Sequence, residues 1–152
     1  MSAQRGFTLV ELLVVISIIA ILSLIGMTVY TGVQTNARVQ ATKATFDAIY
    51  KQIEVGRVLQ QKILMQLTGS GWTAGACYGS SGYDVKIVGC EAVLTTAFVT
   101  KLGMGALPRD GWGDPILLDE NEGEFPAIPC RQDGIWSIHN GLSMAIPFYN
   151  CQ

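Results

Sequence analysis

An uncharged run from Leu12 to Ala37 is the feature that most constrains this chain. The run contains 26 residues and is dense in Leu, Val and Ile up to Ile25, which exceeds the roughly 20 residues that an α-helix needs to cross a bilayer. The segment that would serve as the n-region of a secretory signal, residues 1–6, is only six residues long, with Arg5 as its one cationic side chain. The apolar stretch is also too long for the h-region of an ordinary secretory signal, about 7 to 15 residues. We therefore predict a helix that stays in the mature protein and could span a membrane.

Glu11 lies at the border of this apolar stretch. An ionised carboxylate in hydrocarbon costs several kcal/mol unless it is neutralised or paired. The residue therefore needs either a compensating cation or a position among lipid headgroups. Taken alone, Glu11 leaves both interpretations open.

The residues around Glu11 resemble a known processing site. Gly6-Phe7-Thr8-Leu9-Val10-Glu11, behind a short leader that carries Arg5, is similar to the leader of the type IV pilin family, which includes the pseudopilins of type II secretion. The resemblance covers residues 5–25. It implies cleavage after Gly6 by a prepilin peptidase/methyltransferase, N-methylation of Phe7 and a role for Glu11 in assembly. The Phe7 amine of one subunit could pair with Glu11 of a neighbour, which would fix axial register more than it adds stability.

The periodicity of the next residues predicts that the helix continues beyond the apolar stretch. Side chains recur at steps of three and four, the spacing of one helix face, at Val39, Thr42, Phe46, Ile49, Ile53 and Gly56. No proline interrupts residues 7–67, and helix-breaking residues cluster at 68–71. We therefore predict four segments: a leader at 1–6, a transmembrane or filament-core helix at 7–33, its amphipathic continuation at 34–67, and a globular head at 68–152.

The head is predicted to mix helix and strand. Residues 83–88 alternate in hydropathy and predict an edge strand, whereas residues 91–102 predict a short helix that ends at Gly103 or Gly105. The turn-rich residues 107–116 resemble a Pro, Asp, Trp, Gly and Pro block of pseudopilin heads. Further strands are predicted at 116–118, 134–138 and 142–147. The fold class is therefore α+β, with a long N-terminal helix packed on a small antiparallel sheet.

Four cysteines, Cys77, Cys90, Cys130 and Cys151, all lie in the predicted head. An even number outside the cytoplasm indicates two disulfides, and the sequence alone allows three connectivities. Local loop closure favours Cys77 with Cys90 and Cys130 with Cys151, and the resemblance implies a pair that encloses the C-terminal loop. Zinc is the alternative, but no close Cys-x-x-Cys pair is present and the single histidine is His139.

Acidic residues concentrate toward the end of the chain. Residues 109–152 contain seven acidic and two basic side chains, whereas residues 34–67 contain two acidic and five basic ones. The two segments could attract each other between stacked subunits, or each could be an independent solvated surface. Residues 119–124 suggest a calcium site with Asp119 and Asp133 as weak candidate ligands. We favour a solvated acidic turn, and we predict no cofactor.

Two classes of function remain. The favoured one is a structural subunit that is anchored in the bacterial cytoplasmic membrane with its head outside the cytoplasm. It then joins a homo- or hetero-polymer of pilin-like subunits through an inner-membrane assembly platform, as an extracellular or periplasmic filament. The alternative is a monomeric membrane-anchored binding module. We predict no enzyme activity and no catalytic residues, because no nucleophile, phosphate-loop or metal motif is present. Scattered basic residues without interleaved aromatics also predict no binding of nucleic acid.

Overall fold

A computed structural model describes residues 7–124, 127–128 and 130–151, with the backbone but not the side chains of residues 25–29. The chain divides into two compact units, residues 1–37 and residues 38–152. The first helix, α1 (Leu9–Gln60), contributes to both units. Within the described residues, no helix combines the length and the apolar character that crossing a membrane requires.

In the second unit, α1 supplies one wall of the hydrophobic core. Phe46, Ile49 and Ile53 are buried, and they follow the helical spacing that the sequence predicts. α1 ends at Gln60, so the predicted continuation of this helix to residue 67 is wrong. Gln61 adopts a left-handed φ of 51° and donates its amide to Arg57 O at 2.7 Å. This turn ends α1 and starts a separate helix, α2 (Leu64–Thr68).

The turn after α1 is explained by the side chains that it buries. Leu64 and Leu67 of α2 belong to the same core as Ile53. At Gly56, an added Cβ would lie 3.2 Å from Leu67 Cδ1, so α2 packs closely on α1 at this glycine. A continued helix would carry these leucines away from the core.

Residues 72–103 form a compact group of short elements. A 3₁₀ turn (Thr73–Cys77) leads into the hairpin of β1 (Tyr78–Gly79) and β2 (Gly82–Tyr83). The edge strand predicted at residues 83–88 is wrong beyond its first residue. Asp84 instead closes a turn, because its Oδ1 accepts the Lys86 amide at 2.9 Å and its carbonyl accepts the Ile87 amide at 3.2 Å.

The helix predicted from residue 91 is present, in two parts. α3 (Cys90–Thr95) passes into a π-helical segment (Thr96–Lys101). Leu94, Phe98 and Leu102 are buried along one face of these two parts. Gly103 then takes a positive φ of 73°, which ends the helical segment.

The main sheet has three antiparallel strands in the order β3 (Leu117–Asp119), β4 (Asp133–Trp136) and β5 (Ser143–Ile146). Its register pairs Leu118 with Ile135 and Ile135 with Met144. Together with the helices, this sheet confirms the predicted α+β class.

The turn-rich loop before β3 docks directly on α1. A Cβ at Gly111 would lie 2.2 Å from Arg38 O, so the loop backbone touches the helix backbone there. The Gly111 amide donates to Thr42 Oγ1 at 2.9 Å, and Thr45 Oγ1 donates to Arg109 O at 3.1 Å. Only glycine can occupy this contact without moving the loop or the helix.

Candidate functional site

At the N-terminal end of α1, Thr8 and Glu11 form a reciprocal set of hydrogen bonds. Glu11 Oε2 accepts the Thr8 amide at 2.9 Å and the Thr8 hydroxyl at 2.8 Å, and Thr8 Oγ1 in turn accepts the Glu11 amide at 3.3 Å. A Thr followed three residues later by Glu, immediately before an apolar helix, is the capping-box arrangement. The predicted assembly carboxylate therefore also stabilises the start of its own helix.

Both Thr8 donors reach the same oxygen of Glu11. Among the described residues, no donor to Oε1 is present. Phe7, the predicted first residue after cleavage, has a side chain that is 86% exposed. Gly6, on the other side of the predicted cleavage position, lies outside the described residues. The helix start thus presents an accessible carboxylate oxygen near an exposed aromatic residue.

The first part of α1 carries a large apolar surface that the described part of the chain leaves exposed. Every large apolar side chain described between residues 7 and 24 is exposed. The two serines in this segment are hydrogen-bonded within the helix, since Ser17 donates to Leu13 O and Ser23 to Ile19 O, each at 2.7 Å. A helix that is apolar on all sides needs apolar surroundings.

In the second unit, both cysteine pairs are closed. Cys77 is bonded to Cys90, and Cys130 is bonded to Cys151. This is the connectivity that local loop closure favours. The first bond ties the 3₁₀ turn to the start of α3, and the second ties the segment before β4 to the end of the described chain.

Arg57 lies at the centre of a buried group of charges. Its side chain is 1% exposed, and its guanidinium contacts Asp133 Oδ2 at 2.9 Å and Glu122 Oε2 at 3.4 Å. It also donates to Pro147 O at 2.8 Å. Arg57, from the basic residues 34–67, therefore pairs within one chain with acids from residues 109–152. Each charge offsets the cost of burying the other.

Glu122 holds the end of the described chain as well. Its Oε1 accepts the amides of Asn150 at 2.7 Å, Tyr149 at 3.1 Å and Cys151 at 3.3 Å. The Arg57 guanidinium lies 5.9 Å from the centre of the Tyr149 ring, within cation–π range. The same charge cluster thus fixes both α1 and the C-terminal segment.

The acidic stretch is largely buried, so the solvated acidic turn that the sequence favoured is wrong. Glu120, Asn121 and Glu122 are all buried. Glu120 accepts hydrogen bonds from the Thr73 amide, at 2.8 Å, and from the Thr73 hydroxyl. Burial raises the pKa of Glu120 to about 7, against the lowering effect of these bonds. Around this residue the chain therefore stabilises a protonated carboxyl group.

The two weak calcium candidates are engaged within the protein. Asp133 Oδ1 accepts the Asn121 and Glu122 amides at 2.6 and 2.7 Å, and Oδ2 contacts Arg57. Asp119 Oδ2 accepts the Asn121 side-chain amide at 2.7 Å. Burial raises the pKa of Asp133, with backbone bonds and Arg57 acting in the opposite direction. In the described part of the chain, no three His, Cys, Asp or Glu side chains converge as metal ligands.

The side chains of His139 and Ser137 bind different carboxylates, and Ser137 Oγ also accepts the His139 backbone amide at 3.0 Å. His139 Nε2 contacts Asp114 Oδ2 at 2.7 Å, and its ring stacks on Trp112 with centroids 4.9 Å apart. Ser137 donates to Asp110 Oδ2 at 2.5 Å. Because the histidine faces Asp114 and the serine faces Asp110, this arrangement fixes the turn-rich loop and does not form a serine–histidine pair.

Sequence reasoning missed two contributors, Thr8 and Arg57. The Thr8–Glu11 spacing is itself the capping-box signature and could have been found. Arg57 follows Ile53 by four residues, and Ile53 follows Ile49 by four, so helical spacing already places it on the core face. Its partners Glu122 and Asp133 are too distant in sequence for any local pattern to identify.

Comparison with known proteins adds one finding. Residues 1–27 match the family model of the prokaryotic N-terminal methylation motif. This motif is the class III prepilin-type leader of type IV pilins and pseudopilins, and the recognition from residues 5–25 is thereby confirmed. No match was found among curated proteins or among solved structures.

Proposed function

We propose that this chain is the precursor of a filament-forming subunit, a type IV pilin or a secretion pseudopilin. In this proposal a prepilin peptidase/methyltransferase cleaves between Gly6 and Phe7 and methylates the Phe7 amine. The apolar part of α1 anchors the subunit in the membrane until an assembly platform transfers it into the filament. The observation that carries the proposal is the methylation motif at residues 1–27, with Glu11 inside it.

The geometry at the helix start supports an intermolecular role for Glu11. Its Oε2 is occupied by Thr8, whereas Oε1 is open to a donor from outside the described chain. The cleaved Phe7 amine of a neighbouring subunit is a cation of suitable chemistry. In the apolar surroundings of a helical filament core, such a pair would be weakly screened, and leaving either charge alone would cost several kcal/mol.

The apolar surface of α1 supports the same conclusion. Its large apolar side chains between residues 7 and 24 are exposed in the single chain. Ser17 and Ser23 bond within the helix, so the surface that this segment offers to neighbours is mostly apolar. In a filament outside the membrane, packing such helices together keeps their apolar side chains out of water. The monomeric anchor that the sequence left as an alternative gives the Glu11 carboxylate no intermolecular partner.

Mass spectrometry tests the processing step. Filaments sheared from cells that express the chain should yield an N-terminal peptide that begins at Phe7 and carries one methyl group. Substitution Gly6→Leu should leave the leader attached, because a side chain then obstructs the cleavage position, and should abolish filaments. A filament peptide that begins at Met1 or Ser2 would contradict the proposal.

Paired variants separate capping from assembly. Glu11→Gln keeps a group that can cap the helix but removes the charge, so filament yield should fall to near zero while insertion and cleavage continue. Thr8→Ala removes the cap and keeps the charge, at a cost of about 1 kcal/mol to the helix start, so filaments should still form. Wild-type filament yield from Glu11→Gln, or equal loss from both variants, would refute the intermolecular pair.

A further inference from the structure

Four aromatic side chains form a continuous row on the surface of the second unit: Trp72, Tyr78, Tyr83 and Trp136. Neighbouring ring centroids are 5.7, 5.1 and 5.2 Å apart. Trp72 is 45% exposed and Tyr78 is 54% exposed, and the other two rings are partly exposed. Neither packing in the hydrophobic core nor ion pairing in the buried charge cluster explains why so much aromatic surface is exposed.

The backbone holds the row in place. Tyr78 and Tyr83 are directly paired across the β1–β2 hairpin, so their side chains lie on the same face. Trp72 packs flat on Gly75, where an added Cβ would lie 2.7 Å from the indole ring. Trp136 is on the outward face of β4, since Asp133 and Ile135 point to the buried side. The rings are therefore preorganised before any ligand arrives.

Two depressions flank the row. One, of about 230 Å³, lies beside Tyr83, and Ser80, Ser81 and Asp84 are among its lining residues. The other, of about 280 Å³, lies beside Trp136, where Gly134, Ser143 and Ala145 are among the lining residues. Shallow spaces lined in part by serine residues thus lie beside two of the four rings.

This chemistry discriminates among ligand classes. Among the residues that line the two depressions, Asp84 is the one with an exposed charge, because the Asp133 side chain is 1% exposed and paired with Arg57. Nucleic acid and anionic lipid need Lys or Arg beside the aromatic rings. A neutral sugar ring instead offers an apolar C–H face to an aromatic ring and a rim of hydroxyls to polar groups, and sites that combine aromatic walls with a few polar groups bind such small rings.

We propose that the aromatic row is a binding surface for a neutral glycan chain. The rings of Tyr78, Tyr83 and Trp136 are inclined at 75° and 70° to their neighbours, so the glycan contacts their exposed edges and faces. Its hydroxyls enter the depressions beside Ser80, Ser81 and Ser143. Binding uses preformed side chains and needs no rearrangement of the core. It adds a recognition function that is independent of the N-terminal processing and assembly.

The test uses the full chain in detergent micelles with defined probes: cellohexaose, maltohexaose, laminarihexaose and chitohexaose. Because Trp72 and Trp136 belong to the row, tryptophan fluorescence titration reports binding directly. We expect at least one of these probes to bind. Tyr78→Ala and Tyr83→Ala should each weaken that binding about tenfold or more, as expected for aromatic contacts at the centre of a binding surface.

Phe148→Ala is the matched control, because Phe148 is 40% exposed, close to the 37% of Tyr83, but lies outside the row. It should leave glycan affinity unchanged, and Tyr78→Phe should retain most of it. Urea midpoints establish that each variant is folded. Failure of all four probes to bind at millimolar concentration would overturn the proposal, as would unchanged glycan affinity in both alanine variants. Binding of oligo-dT in place of the sugars, or filament loss with unchanged glycan affinity, would assign the row to another partner.

Discussion

Replacing Arg57 tests how strongly the buried charge cluster stabilises the second unit. Arg57→Met keeps a long side chain and removes the positive charge that faces Asp133 and Glu122. The side chains of these two acids are 1% and 2% exposed, so neither can recover its hydration without local opening. Pro147 O also loses the donor that now lies 2.8 Å away.

The destabilisation expected from Arg57→Met is large because Asp133 and Glu122 are buried. Removing one partner of a buried ion pair costs about 3–5 kcal/mol, because the remaining charge is left uncompensated. A domain of this size is stable by about 5–15 kcal/mol, so the loss is a large fraction of the total. With a urea slope of about 1–3 kcal/mol per molar, we expect the unfolding midpoint to fall by about 1 M or more.

Glu54 provides the control on the same helix. It contacts the same guanidinium at 3.0 Å, but its side chain is 38% exposed, so Glu54→Gln should cost only about 0–1 kcal/mol. All three tryptophans, Trp72, Trp112 and Trp136, lie in the second unit, so urea titration followed by tryptophan fluorescence reports on this unit alone.

A companion variant tests the mechanism. Adding Asp133→Asn to Arg57→Met removes one of the two stranded charges and should recover part of the lost stability, so the two substitutions should be non-additive. The reasoning would be refuted if Arg57→Met unfolds within about 1 kcal/mol of the wild type, or if the double variant is as unstable as the sum of the single ones.

Two further predictions concern Glu120 and Gly111. The pKa of Glu120 is about 7 in the folded chain against an ordinary 4.5, so the folded state binds the extra proton. The contribution of Glu120 to the free energy of unfolding should be fully present below pH 4.5. It should fall by about 3 kcal/mol as pH rises through 7. Glu120→Gln should lack this decrease, and urea midpoints at pH 4.5 and 8 that shift equally in both proteins would contradict the assignment. Gly111→Ala should destabilise the second unit by about 1–3 kcal/mol, because its Cβ would overlap the Arg38 backbone. Gly105→Ala, with nothing within 4 Å of its added Cβ, is the matched control, and equal midpoints for both would refute the close contact.

Patterns with a local cause could be predicted from the sequence. The core face of α1 through Ile49 and Ile53 follows from helical spacing, and the three strands of the main sheet lie within one or two residues of their predicted ranges. The recognition of the leader succeeded for a related reason, since the motif is a short contiguous sequence. In each case, neighbouring residues alone determine the feature.

Features that depend on distant partners could not be predicted. The stretch at residues 119–124 has the composition of a solvated turn, and only Arg57 and Thr73, remote in sequence, explain why Glu120 and Glu122 are buried. The strand predicted at residues 83–88 is absent beyond Tyr83 for a local reason that the hydropathy pattern does not show. The Asp84 side chain captures a backbone amide there and favours a turn.

Two independent attachments hold the C-terminal segment in the second unit. The backbone amides of Tyr149 and Asn150 donate hydrogen bonds to the Glu122 carboxylate, and the Cys130–Cys151 disulfide links the same segment covalently. These two attachments differ in chemistry, because the first consists of hydrogen bonds and the second is a covalent bond that a reductant breaks. We therefore expect the segment to stay bound through Glu122 after the Cys130–Cys151 bond is reduced.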